Sequence, residues 1–294
     1  MGLPARLLPI LLLLWPLATD VAAQEPPAEE EAVARGRYLL HAAGCVTCHT
    51  AEAEDAVPLA GGRALQTPFG TFRTPNLTPD PETGLGGWSA AQFRAALREG
   101  LAPDGSPYYP AFPYPSYAGM TEADADDLFA YLQSLTPVRN AVPDHDLDFP
   151  FSLRPGLWAW RWLHFDAAPF APDPEQGEAW NRGAYLVEHL GHCGECHTPR
   201  NFAGATEEAR RLAGNPQGPE GKRVPNITPH QEDGIGAWDA TDMTFFLETG
   251  FLPDGDVAGG AMAPVIKDST SRLTAEDRAA IAAYLLALPP LPDE

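Results

Sequence analysis

Five residues constrain this chain more than any others: Cys45-Val46-Thr47-Cys48-His49, together with their second copy, Cys193-Gly194-Glu195-Cys196-His197. The two copies use all four cysteines of the chain, so no thiol is left over. C-x-x-C-H is the attachment motif of a c-type haem. Its two thiols form thioethers with the haem vinyl groups, and the adjacent imidazole ligates the iron. Three other uses of the thiols are weighed. Two disulfides would suit an oxidising compartment. A thioredoxin-like pair needs a βαβ setting that the flanking residues do not offer. A zinc ribbon needs its pairs roughly 15–20 residues apart, and these stand about 150 positions apart. None of the three explains a histidine after each pair. The motifs therefore predict two covalently bound haem c groups, on Cys45, Cys48, Cys193 and Cys196, with His49 and His197 as iron ligands.

The flanking residues repeat with the motifs. Arg35-Gly36-Arg37-Tyr38-Leu39-Leu40 precedes the first, and Arg182-Gly183-Ala184-Tyr185-Leu186-Val187 the second. A glycine within a helix is unfavourable, and its recurrence predicts close packing of another helix over it. Thr74-Pro75-Asn76-Leu77-Thr78-Pro79 pairs with Val224-Pro225-Asn226-Ile227-Thr228-Pro229, and Gly84-Leu85-Gly86-Gly87-Trp88 with Gly234-Ile235-Gly236-Ala237-Trp238. A ligating histidine usually donates its other ring N–H to a carbonyl, and Pro75 and Pro225 are placed for that role. Ser89 with Gln92 reads as a capping box, with Gly100 as the helix stop. Asp239 and Gly250 mark the matching helix. Thr121 and Thr274 open the last helix of each half, running to about Leu135 and Leu288, with Pro137 and Pro289 beyond. Leu128, Tyr131 and Leu132 share one face there, as do Ile281, Tyr284 and Leu285.

These repeats predict an all-α chain of two tandem haem domains, 32–136 and 177–289, joined by a Pro/Trp-rich linker, 137–176. Leu157-Trp158-Ala159-Trp160-Arg161-Trp162-Leu163 lies in the linker. It reads either as packing between the domains or as a docking patch for a partner. Residues 1–23 read as a secretory signal: Arg6, an apolar run from Leu7 to Leu17, and small residues before a cut between Ala23 and Gln24. The run is short and broken by Pro9 and Pro16, and no later stretch reaches membrane length. The expectation is a periplasmic protein with no integral membrane segment in its mature chain. An uncleaved anchor is the alternative. With 40 acidic against 19 basic residues the net charge is −21. That disfavours nucleic acid and anionic membranes, and suits a neutral or basic redox protein.

A haem iron bound by one histidine has a sixth position, whose filling separates electron transfer from ligand chemistry. Methionine thioether fills it in many electron carriers. Of the four methionines, Met1 is in the signal. Met120 and Met262 each precede the last helix of a half, and are assigned as sixth ligands. Met243 matches Phe93 within a helix and reads as core.

In these residues the chain resembles class I cytochromes c, duplicated into a dihaem protein. The resemblance rests on R-G-x-Y-L before C-x-x-C-H, the P-N-L/I loop, the methionine and a final helix with Tyr-Leu. It covers Ala32 to Leu135 and Asn181 to Leu288. Tyr109-Pro110-Ala111-Phe112-Pro113-Tyr114-Pro115-Ser116-Tyr117 is similar to cytochrome c subunits of membrane-bound bacterial alcohol and gluconate dehydrogenases. In several of those a methionine stands where this chain has Phe112, and they carry three haem motifs rather than two. The resemblance implies an electron-transfer protein and no catalytic residue. It would pass single electrons between a dehydrogenase-type donor and a respiratory acceptor. A dihaem peroxidase or thiosulfate dehydrogenase is the competing reading, and it requires one open or unusual sixth position.

Overall fold

The computed structural model describes residues 1–2 and 28–293; residues 3–23 of the expected signal lie outside the described residues. Helix α1 (Ala28–Ala42) begins on Glu29, Glu30 and Glu31, carboxylates that favour a helix N-terminus. It packs across α5 (Glu122–Gln133). A Cβ added at Gly36 would lie 1.9 Å from the Asp127 carbonyl oxygen, so only glycine lets the two backbones touch. The second half repeats the crossing. Helix α7 (Glu178–Tyr185) packs on α11 (Ala275–Leu285), and a Cβ at Gly183 would lie 2.0 Å from the Ala280 carbonyl oxygen. Thr121 and Thr274 cap α5 and α11, each accepting the N–H three residues on.

Helix α3 (Ala90–Glu99) carries the expected capping box between Ser89 and Gln92 and stops at Gly100, φ +62°. Helix α9 (Ala240–Thr249) is capped by Asp239 and stopped by Gly250, φ +81°. Phe93 and Met243 are both buried there, at matching positions. The buried Asn76 and Asn226 organise the two proline loops. The Asn76 Oδ1 accepts from the Thr78 N–H and hydroxyl, while its Nδ2 donates to the Val138 carbonyl at 2.7 Å. Asn226 does the same with Thr228 and the Leu291 carbonyl. Each loop is thereby tied to the chain that follows the last helix of its half.

The expectation of an all-α chain is corrected by a small antiparallel sheet. Strands β1 (Ala64–Thr67) and β2 (Gly70–Arg73) form a hairpin in the register Leu65 to Phe72, and β3 (Asp146–Leu147) adds to its edge. The hairpin turns at Gly70, φ +113°, which L-residues resist. Three further helices also depart from expectation: α4 (Tyr114–Tyr117), α6 (Gly156–His164) and α10 (Met262–Asp268). Helix α6 is the tryptophan-rich run. Leu157 is buried, and the Trp160 indole N–H donates to the Ala203 carbonyl at 2.9 Å, which ties the run to the second half. Trp158 and Trp162 stay 53% and 83% exposed, so the run both packs and presents an aromatic surface.

The halves grip each other reciprocally. The Tyr38 hydroxyl donates to Asp277 at 2.5 Å and accepts the Thr274 N–H, at the start of α11. The Tyr185 hydroxyl donates to Asp124 and accepts the Thr121 N–H, at the start of α5. Each half thus completes the capping of the other half's last helix. No described helix is long and apolar enough to cross a membrane.

Candidate haem attachment site

Gly44 ends α1 by turning left-handed, at φ +63°, and opens a single helical turn, α2 (Cys45–Cys48). A three-residue separation in such a turn sets both thiols on one face. The backbone N–H of His49 closes the turn on the Cys45 carbonyl at 2.9 Å. Its ring then meets the Pro75 carbonyl, with Nδ1 to oxygen at 2.8 Å. A carbonyl only accepts, so the proton sits on Nδ1 and the Nε2 lone pair is free. The second motif, around α8 (Gly194–His197), has the same arrangement, with His197 Nδ1 to the Pro225 carbonyl at 2.7 Å. Burial lowers the pKa of both rings against the pull of those carbonyls, which keeps them neutral. A neutral imidazole is the form that ligates a metal.

None of the four cysteines is paired in a disulfide, which is against the disulfide reading. Burial pushes Cys45 and Cys193 up to about 12. Burial, with Glu195, raises Cys196 to about 11, and Cys48 of the other motif adds to that rise. Such thiols are poor thiolate nucleophiles. Among the described residues no three His, Cys, Asp or Glu side chains converge as a bare-metal cluster. What the site offers is two thiols on one turn beside a free imidazole nitrogen, twice. Near the first turn the Thr47 hydroxyl and the Arg63 Nε are buried without partners, while Arg63 holds the Thr47 carbonyl. The donor set fits a covalently attached haem.

One difference between the motifs is invisible in the C-x-x-C-H pattern itself. Tyr185 stands one residue further from Cys193 than Tyr38 stands from Cys45. The extra residue is absorbed by a π-turn, Leu186–Leu190, that continues α7. Such bulges take up single insertions within a helix. His41 and His189 consequently keep equivalent places, and each reaches a carbonyl of the opposite half: Asp268 at 2.8 Å and Ser116 at 2.9 Å.

The two methionines are not structural counterparts. Met120 is fully buried and immediately precedes Thr121, the cap of α5. The residue in that place before Thr274 is Leu273. Met262 is partly buried and begins α10. Counting from the matched bridges Leu101–Pro107 and Phe251–Val257, its place in the first half is held by Phe112. The other histidines have separate work. His145 accepts the Arg73 N–H beside the sheet, and His230 accepts the Asp233 N–H.

Comparison with known proteins identifies the family. The family model described as Cytochrome c matches residues 33–136. A diheme cytochrome c-type protein of Cereibacter sphaeroides is 47% identical over 87% of this chain and 85% of its own length. The fructose dehydrogenase cytochrome subunit of Gluconobacter japonicus is 40% identical over 92% of this chain, which spans 56% of that subunit. The cytochrome c subunit of a quinone alcohol dehydrogenase from Gluconacetobacter polyoxogenes is 39% identical over 94% of this chain, which spans 60% of it. With the paired thiols, the carbonyl-oriented histidines and that degree of identity along nearly its whole length, the chain belongs to the cytochrome c family, whose members bind haem c covalently.

Proposed function

We propose that the chain is a dihaem electron carrier, built as two tandem class I cytochrome c domains, 32–136 and 177–289, around the linker 137–176. It passes single electrons in the periplasm between a dehydrogenase-type donor and a respiratory acceptor. The observation that carries this reading is the duplicated His–Pro geometry, in which His49 and His197 each present a neutral, oriented Nε2 beside two thiols on one turn. When bound, haem supplies reversible one-electron iron chemistry. The chain's own residues do the rest. Cys45, Cys48, Cys193 and Cys196 anchor, and Pro75 and Pro225 fix the ring planes of the ligating histidines. Met120 and Met262 would supply the remaining iron ligands and so keep exogenous molecules off the metal. The relatives' names as dehydrogenase cytochrome subunits support a dehydrogenase donor. The net charge of −21 favours a basic or neutral docking face on the partner.

Optical spectra of the reduced protein with and without carbon monoxide test the reading. Two haems per chain and no carbon monoxide effect are expected, with carbon monoxide binding appearing in Met120→Ala and in Met262→Ala, each at one haem. A wild-type haem that takes carbon monoxide would refute the closed carrier. An unchanged Met120→Ala spectrum would remove Met120 as a ligand, and leave its burial beside Thr121 as a packing role like that of Leu273.

A further inference from the structure

His192 has no part in the account so far, yet it occupies a costly position. It stands directly before Cys193, where Gly44 stands before Cys45. Both backbones are left-handed there, at φ +63° for Gly44 and φ +40° for His192. Glycine enters that region freely, while a residue with a Cβ meets steric opposition and persists only when its surroundings hold it. The turn itself needs no histidine, as Gly44 shows.

What holds His192 belongs to the other half. Its ring stands edge-on to the Tyr117 ring, centroids 5.4 Å apart at 86°. The Tyr117 hydroxyl donates to the Ala43 carbonyl at 2.8 Å, two residues before Cys45. A Cβ added at Gly44 would lie 3.9 Å from His192 Nε2, and one at Gly191 would lie 3.9 Å from the Ala42 carbonyl oxygen. The segments that lead into the two attachment turns, 42–44 and 191–192, therefore lie side by side, linked through Tyr117 and His192. Burial lowers the His192 pKa, so the ring packs as a neutral aromatic.

We propose that His192, seated on Tyr117, is a positioning residue for electron exchange between the two haem sites. It rests on the reading that each motif holds a haem. The packed sequence Cys45, Gly44, Ala43 carbonyl, Tyr117, His192, Cys193 fixes the separation of the sites and fills it with bonded and touching atoms. With haem bound at both sites the exchange would move one electron, one iron oxidised as the other is reduced, with no bond formed or broken and with His192 and Tyr117 keeping their protons.

The test is His192→Gly in the full-length, haem-loaded protein. This substitution restores the residue that the first half uses, so the left-handed turn is retained without opposition. Electron exchange is read by NMR of a half-reduced sample over a dilution series, in which intramolecular exchange is independent of concentration. Haem content, reduction potentials and the Met–iron charge-transfer band are measured alongside. The expected result is two haems, unchanged potentials and band, and intramolecular exchange measurably slower than in the wild type. Tyr117→Phe, which removes only the hydroxyl bond to Ala43, should slow it less. Two haems with an unchanged rate, or wild-type exchange that scales with concentration, overturns the proposal. Fewer than two haems in the wild type overturns the underlying reading instead. If His192→Gly loses haem, His192→Asn gives the same readout, since asparagine tolerates the left-handed region.

Discussion

Replacing Gly36 by alanine probes how the two helices of the first half meet. The added Cβ would sit 1.9 Å from the Asp127 carbonyl oxygen, 2.6 Å from its carbonyl carbon and 2.8 Å from the Tyr131 Cβ. A carbon and a carbonyl oxygen rest no closer than about 3.3 Å. The helices α1 and α5 must therefore part by roughly 1.4 Å. The first two obstacles are backbone, so no rotamer change relieves them. Overpacking of this kind costs about 3 kcal/mol, at the upper end of its usual range. The gain in helix propensity from glycine to alanine returns about 1 kcal/mol. A net loss of about 2 kcal/mol follows, or a thermal midpoint lower by roughly 5 °C. Gly156 is the control: it begins α6 with nothing within 4 Å of its Cβ position, so Gly156→Ala should leave the midpoint unchanged or slightly raised. Thermal or urea unfolding of the haem-loaded protein decides. A Gly36→Ala protein as stable as the wild type would refute the backbone-to-backbone contact, and with it the reason a glycine recurs at Gly183.

Other consequences are as direct. Cys45→Ser with Cys48→Ser should leave one covalent haem per chain rather than two, as counted by the pyridine haemochrome of denatured protein. Asn76→Ala orphans the Thr78 N–H and takes from the Val138 carbonyl the shorter of its two side-chain donors, leaving the Thr78 hydroxyl. It should cost about 2–3 kcal/mol in urea unfolding, with Asn226→Ala comparable. Burial works against the charged form of Asp277, but the Arg182 guanidinium and the Tyr38 hydroxyl outweigh it and hold its pKa below the ordinary 3.8. A carboxyl depressed in the folded state contributes stability above its unfolded value, and that contribution fades as pH falls through the lowered folded value. Unfolding curves between pH 5 and pH 2 should therefore flatten at the acid end in Asp277→Asn (about 3.8 marking where the wild-type slope begins). An equal acid slope in both proteins would remove the carboxylate's role.

The features legible in the sequence are those whose causes lie within a few residues. The C-x-x-C-H turns, the Ser89–Gln92 box, the caps Asp239, Thr121 and Thr274, and the stops at Gly100 and Gly250 all depend on bonds between near neighbours, so a local pattern suffices. Gly36 and Gly183 announced a close approach because glycine is otherwise a poor helix residue, and Pro75 and Pro225 were found because a ligating histidine needs an acceptor. Tertiary structure alone decided the rest. Strand β3 joins the hairpin from far along the chain, where Asp146 and Leu147 carry no alternating pattern. The extra residue before Cys193 is taken up in a π-turn, with His189 within reach of the Ser116 carbonyl of the other half. Tyr38 and Tyr185 cap helices of the opposite half, and His192 meets Tyr117 across the same boundary. Those contacts join residues distant in sequence, and the free energy that fixes them comes from packing two surfaces together, which no single stretch of either surface encodes.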